Sequence, residues 1–201
     1  MSLVVNKNGT GGKGSMAMTE KQKMLAGKKY LNTDKELSED RWKTRKRINE
    51  FNDLSKEAPD EAMKILSNVF QKTGKNFEVM APFQCDYGYG ITVGNNFFAN
   101  YGCTFIDVAS ITFGDNCLLG PNCQIYTVDH AFNVEERNRG IEIPGKVTIG
   151  DNLWAGGSVV ITPNVTLGNN VIIAAGAVVT KSFGDNVLIG GNPAHVIKEL
   201  K

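Results

Sequence analysis

No apolar run in these 201 residues approaches the roughly 18 residues that a membrane span needs; the longest apolar stretch runs from Val171 to Val179. Surplus charge of either sign is missing too: 22 Lys and Arg face 21 Asp and Glu, for a formal net charge of +1. That balance argues against a global attraction to nucleic acid, which shows as a clearly basic domain. Four cysteines, Cys85, Cys103, Cys117 and Cys123, lack the paired close spacings of zinc sites. No secretory signal pattern accompanies them, so reduced thiols in a cytoplasmic protein are expected. Histidine is scarcer still, with only His130 and His195. Two histidines are too few for a three-histidine zinc site, and no metal is expected. The string GxxxxGK[ST] is absent as well, which removes the P-loop nucleotide-binding reading.

What is present divides the chain. Residues 1–18, opening MSLVVNKNGTGGKGSMA, are rich in Gly, Lys and Asn without apolar periodicity and read as an expression leader or disordered tail. Residues 19–74 read as helical. Thr19 and Gln22 form a capping-box pair, Pro59 suits a first helical turn, and Ala62, Met63, Leu66, Val69 and Phe70 recur at helical spacing. Trp42, Ile48, Phe51 and Leu54 supply a partial apolar stripe to the middle helix. Arg41, Lys43, Arg45, Lys46 and Arg47 crowd its other positions and read as a solvated face.

From about residue 91 the period becomes six. Ile149, Ala155, Ile161, Leu167, Ile173 and Val179 follow one another at six-residue intervals, and Leu153, Val159, Val165, Val171 and Ala177 each come four places after the first five. Gly150, Gly156, Gly168, Asp151, Asn152, Asn169 and Asn170 fill the turns between. The same phase shows earlier at Val93 and Ala99. It returns at Phe113, Leu119 and Ile125 after a two-residue insertion near Asp107 to Ser110. An α-helix needs a period near 3.6 and a hairpin strand alternates every two residues, so neither fits. Short strands turning every six residues make a solenoid. Cys103, Cys117 and Cys123 occupy the slot that holds Leu or Val elsewhere, which makes them core thiols. The pattern gives way to a long irregular stretch over residues 129–146, and a stretch of that length is uncommon unless it has a function. His130 opens it.

Tandem hexads of the form aliphatic, Gly, x, x, small or aliphatic, x resemble those of acyltransferases with a left-handed parallel β-helix. The order of segments narrows the resemblance: MLAGKKY, CDYGYG, GNNFFAN, IYTVDHAFN, TIGDNLWAGG, AVVTK and GGNPAHVIKEL are similar to the maltose and galactoside O-acetyltransferases across residues 19–201. This implies a mainly β fold with three hexads per coil, so that residues 18 apart stack. It implies an N-terminal helical segment over 19–74, a β-helix over 75–190 and a short C-terminal helix over 191–201. It further implies acetyl-CoA as co-substrate, a sugar hydroxyl as acceptor, and a homotrimer with sites between subunits.

Acetyl transfer to an alcohol needs a base, because the hydroxyl is a poor nucleophile until its proton is removed, and histidine suits neutral pH. His130 in TVDHAFN is that base by resemblance, acting by direct transfer without a covalent acetyl-enzyme. Asn100 matches a family acceptor position. Asp86 stands where the galactoside type has Ser and the maltose type Asp, Phe98 replaces a galactoside-type Tyr, and Asn32 replaces an Asp. Asp107 is expected near the same groove, with Trp154 lining the cleft. For acetyl-CoA the resemblance points to Gly157, Ala175, Thr180 and Lys181, small residues permitting close approach to the backbone. Lys181 and Lys198 are placed to meet phosphates, and His195 occupies a slot usually held by Arg. Two rivals remain: an acetyltransferase for serine or an antibiotic hydroxyl, and a non-catalytic repeat protein.

Overall fold

The computed structural model describes residues 17–201. The reading of a leader or tail over residues 1–18 lies, apart from its last two positions, outside the described residues. Helix α1 (Glu20–Leu25) opens with the expected capping box, in which Thr19 and Gln22 each bond the other's backbone N–H. Helix α2 (Lys35–Leu54) is capped by the Asp34 carboxylate, which accepts the Leu37 N–H, and buries Leu37, Thr44, Ile48 and Phe51. Trp42 is not on that stripe. It lies about 120° around the helix from Ile48 and is 56% exposed, with the Lys46 ammonium 3.5 Å from its ring centroid. Helix α3 (Pro59–Val69) begins on Pro59 and buries Ala62, Ile65 and Leu66 against α2 and the first coil.

The first coil strand, Lys72–Thr73, precedes the expected boundary at residue 74, because Phe70 leaves α3 in extended conformation and carries its ring into the core. The leader is also not wholly helical. Tyr30–Leu31 is a strand, formed because it pairs with Ile141–Glu142, more than a hundred residues on.

Beyond residue 70 the chain winds into a parallel β-helix with sheets of five, five and seven strands on its three faces. Inward positions alternate with outward ones, and every inward aliphatic of the hexad series is buried. Stacking at 18 residues holds where it is expected: Ile149 pairs with Leu167, Ala155 with Ile173 and Ile161 with Val179. The lower coils are wider. Lys72 pairs with Thr92, Phe98 with Leu118 and Thr104 with Gln124, each twenty residues on. Phe83, Phe97, Phe105 and Phe113 fill the extra girth, with ring contacts between 4.8 and 5.8 Å. Asn96, Asn116, Asn152, Asn170 and Asn186 stack along one corner in left-handed conformation, φ between 54° and 62°. Asparagine tolerates that region better than other side chains with a Cβ. Along this column the Asn96 amide donates to Asn116 (2.8 Å), Asn116 to Asn152 (3.3 Å) and Asn170 to Asn186 (2.9 Å).

The C-terminal segment corrects the expectation of a helix over 191–201. Val187–Gly191 and Ala194–Glu199 form an antiparallel hairpin instead. The last coil would otherwise end in an open sheet edge, and pairing along that edge outweighs the weak helical tendency of the tail.

Candidate active site

The site begins where the hexads stop. After Thr127 the chain leaves the coil as a strand, Val128–His130, turns through the short helix α4 (Val134–Asn138) capped by Asn133, and returns as Ile141–Pro144. The solenoid then resumes without loss of register, Ile111 pairing with Val147. Outgoing and returning strands pair antiparallel with His130 opposite Glu142, and Tyr30 pairs with Glu142 from the other side. One small sheet therefore joins the leader to the excursion.

Around Glu142 the polar groups converge. Its carboxylate accepts from the Asn32 amide at 2.7 Å and from the Tyr30 hydroxyl. Burial, and then the Glu142 hydrogen bond, keep the Tyr30 phenol protonated far above its ordinary range. The Arg41 guanidinium, one α2 turn from Leu37, donates to the Asn32 carbonyl at 2.7 Å and to the Tyr87 hydroxyl. Asp86 is half-buried, which raises its pKa. Arg41 and Arg45 pull that pKa down, while Glu142 pushes it up. Asn32 and Asp86 thus share Arg41 and Glu142 as neighbours, and His130, opposite Glu142 in the strand pair, is solvent-exposed at the end of its strand. Sequence reasoning misses Tyr30, Tyr87 and Glu142, and it assigns Arg41 to a solvated helix face. The alternation of Ile141, Glu142 and Ile143 was the only signal for a strand carrying Glu142 outward.

Other expected residues fall elsewhere. Asp107 does not face the groove: it is 1% exposed and its carboxylate is taken by three backbone N–H groups, those of Asp86, Tyr87 and Gly90. Burial pushes its pKa up to about 7 against the pull of those amides. Asn100 is half-buried at a corner, its Oδ1 accepting the Tyr101 N–H at 2.8 Å. Phe98, Leu118, Trp154, Ile172 and Leu188 stand in register on the outward side of the seven-stranded sheet. Leu118 is 48% and Trp154 57% exposed, so this row is an apolar ridge on the surface. Trp154 and His130 belong to different sheets.

On the acetyl-CoA side, Gly157 lies at a tight corner where its carbonyl accepts the Gly176 N–H at 2.9 Å. A Cβ on the adjacent Gly156 would come within 2.7 Å of the Ala175 nitrogen, so the coils close up here only because the residue is glycine. Ala175, Thr180, Lys181, His195 and Lys198 are all exposed on the upper coils and hairpin. That edge offers backbone accessible past small side chains and three basic residues, which fits a long thiol-bearing ligand with phosphates at one end. Among the described residues no group of three His, Cys, Asp or Glu could hold a metal ion.

A β-helix of hexads with a histidine-bearing excursion, capped by short helices, defines a hexapeptide-repeat acyltransferase. Residues 23–74 match the family model for the maltose acetyltransferase hexapeptide capping motif, and residues 146–181 match bacterial transferase hexapeptide repeats. A maltose O-acetyltransferase structure from Clostridium difficile superposes with a TM-score of 0.90 at 48% identity, over 92% of this chain and 99% of that one. A hexapeptide-repeat acetyltransferase of Vibrio cholerae, solved with acetyl-CoA, gives 0.84 at 32%, over 92% and 100%. The galactoside O-acetyltransferase of Escherichia coli is 36% identical over 186 residues, 92% of this chain and 91% of its own. The chain belongs to the maltose and galactoside O-acetyltransferase family, a left-handed β-helix of about 6 turns with acetyltransferase activity.

Proposed function

We propose that this protein transfers the acetyl group of acetyl-CoA directly to a sugar hydroxyl, with His130 as general base. The observation that carries the reading is the pairing of His130 with Glu142, whose carboxylate is gripped by Tyr30 and Asn32 of the leader. A base and a groove of carboxylates, amide and guanidinium, drawn from three distant segments, suit a ligand with several hydroxyls. Asp86, Glu142 and Arg41 orient the acceptor. An imidazole nitrogen of His130 takes the hydroxyl proton as the oxygen attacks the acetyl carbonyl, and returns it to the departing thiolate. Backbone N–H groups near the cleft stabilise the oxyanion. Gly157, Ala175, Thr180, Lys181, His195 and Lys198 hold acetyl-CoA along the upper coils. No metal takes part.

The working form is a homotrimer with sites between subunits. Supporting this is the exposed apolar ridge through Phe98, Leu118 and Trp154, which a second copy would cover. Four free, buried cysteines fit a cytoplasmic setting; no helix among the described residues is long and apolar enough to cross a membrane.

The test is His130→Ala, assayed by release of free CoA with maltose, glucose and galactosides. Turnover should fall by about 10²- to 10⁴-fold, the usual contribution of a general base, while calorimetry still detects acetyl-CoA binding. Turnover like the wild type in a folded variant defeats the assignment of the base. Wild-type turnover with serine or an antibiotic hydroxyl and none with sugars would move the acceptor class.

A further inference from the structure

Among the described residues only three polar or charged side chains are buried: Thr44 at 8% exposure, Asp107 at 1% and Thr127 at 0%. They come from a helix and two successive coils, and they bind two adjoining turns, residues 86–90 and residues 106–109. Burial of a polar group is costly unless its hydrogen bonds are made, and here they are. The Asp107 carboxylate accepts the N–H groups of Asp86 (3.0 Å), Tyr87 (2.9 Å) and Gly90 (3.2 Å). From the helix side, the Thr44 hydroxyl donates to the Tyr87 carbonyl at 2.9 Å. From the coil above, the Thr127 hydroxyl donates to the Ile106 carbonyl at 2.7 Å and accepts the Ala109 N–H at 2.8 Å, bracketing Asp107.

Thr127 is also the neck of the excursion. Its own N–H donates to the Ile106 carbonyl (3.1 Å), and its carbonyl accepts the N–H of Gly145, where the returning strand re-enters the coil (2.8 Å). The next three residues are the strand that ends in His130. Hydrogen bonds therefore tie the neck of the His130 strand, at Thr127, to Ile106 and Ala109, and Asp107, which lies between those two in the chain, ties the same turn to Asp86 and Tyr87.

We infer that Thr127, Asp107 and Thr44 are positioning residues that hold the acceptor-bearing Asp86 segment at a fixed offset from His130. The inference rests on the acceptor groove proposed above. None of the three touches substrate; each acts through the backbone it restrains. Loss of the restraint should be felt where geometry between acceptor and base matters, and not on the acetyl-CoA edge, which lies on other coils.

The experiment compares Thr127→Val, Thr127→Ser and Thr44→Val in the full chain, measuring KM for sugar acceptor and for acetyl-CoA separately. Both valine variants should raise acceptor KM by about tenfold or more, since small misplacements at a site are costly, with acetyl-CoA KM within about twofold. Thr127→Ser, which keeps the hydroxyl, should restore the wild-type value. Lowered melting temperature with both KM values unchanged, or an equal rise in both, overturns the proposal. Amide hydrogen exchange gives a reading independent of turnover. In Thr127→Val, exchange at Asp86, Tyr87 and Gly90 should rise together with that at Val128 to His130. A rise confined to the Thr127 coil, or spread evenly over the solenoid, also overturns it. If the wild type acetylates no sugar, the acceptor reading fails by itself and the exchange result decides this inference.

Discussion

Replacing Ile161 with Ala tests the stacking of the coils at its most regular point. The side chain is 2% exposed and sits in register between Ile125 on one coil and Val179 on the next. Three carbons are lost, and at roughly 0.8 kcal/mol per buried CH₂ the transfer cost is about 2.4 kcal/mol. A cavity adds to this, because the ladders on either side hold the neighbouring backbones at fixed spacing and limit collapse. The total should reach about 4 kcal/mol, within the roughly 2 to 5 kcal/mol seen for such truncations. Val160→Ala is the control. Val160 pairs with Gln124 and Val178 in the same strand but points outward and is half-exposed, so its loss should cost less than about 1 kcal/mol. Urea denaturation followed by circular dichroism measures both. In a solenoid each coil contacts only its neighbours, so the Ile161 variant should also lose its C-terminal coils at lower urea than the helical leader. Equal losses at 160 and 161 would refute the inward and outward alternation on which the core rests.

Asp107 should titrate near pH 7, far above the ordinary 3.8. Its folded-state pKa is raised, so the folded protein holds this proton more tightly than the unfolded chain. Relative to Asp107→Asn, the wild type should gain stability as pH falls from about 7 towards 3.8 and lose it on the way back. A carboxyl-carbon resonance with its midpoint near 4 would refute this. Asn116→Ala should cost at least the roughly 1 to 2 kcal/mol of placing an alanine at φ 57°, read from thermal melts. Asn116→Gly should cost less, and the reverse order would refute strain as the cause. Leu118→Arg puts a charge in the middle of the apolar ridge; light scattering should show dispersal to monomers, with turnover lost. An intact trimer would show that copies meet elsewhere.

The repeat was legible because it is local. Each hexad announces its own strand and corner, while the insertion near Asp107 shows in the sequence only as a shift of phase. His130 was legible for the opposite reason, as a residue at the start of the long interruption. What escaped notice depends on distant pairing. The Tyr30–Leu31 strand exists because Ile141–Glu142 arrives beside it, and the C-terminal hairpin exists because the last coil leaves an edge to cover. Arg41 looked like one more charge on a solvated helix, yet helix α2 turns it inward to Asn32 and Tyr87 while leaving Trp42 in solvent. The resemblance alone makes Asp107 an acceptor candidate. Only the count of amides around it shows that it binds the chain itself.

The excursion leaves and re-enters the coil at one neck, and the strands before and after it pair as though it were not there, Ile111 with Val147 and Phe113 with Ile149. The coil's own ladder is therefore indifferent to what hangs from that neck, although the leader pairs with it through Ile141 and Glu142. Residues at the excursion's outer turn, between His130 and Ile141, can be gained or lost without disturbing a rung of the ladder. A lineage with this architecture is able to vary the outer turn at little risk to the coil, and an engineer is able to do the same by exchanging only residues 131–140, leaving His130 and the Ile141–Glu142 pairing with the leader in place.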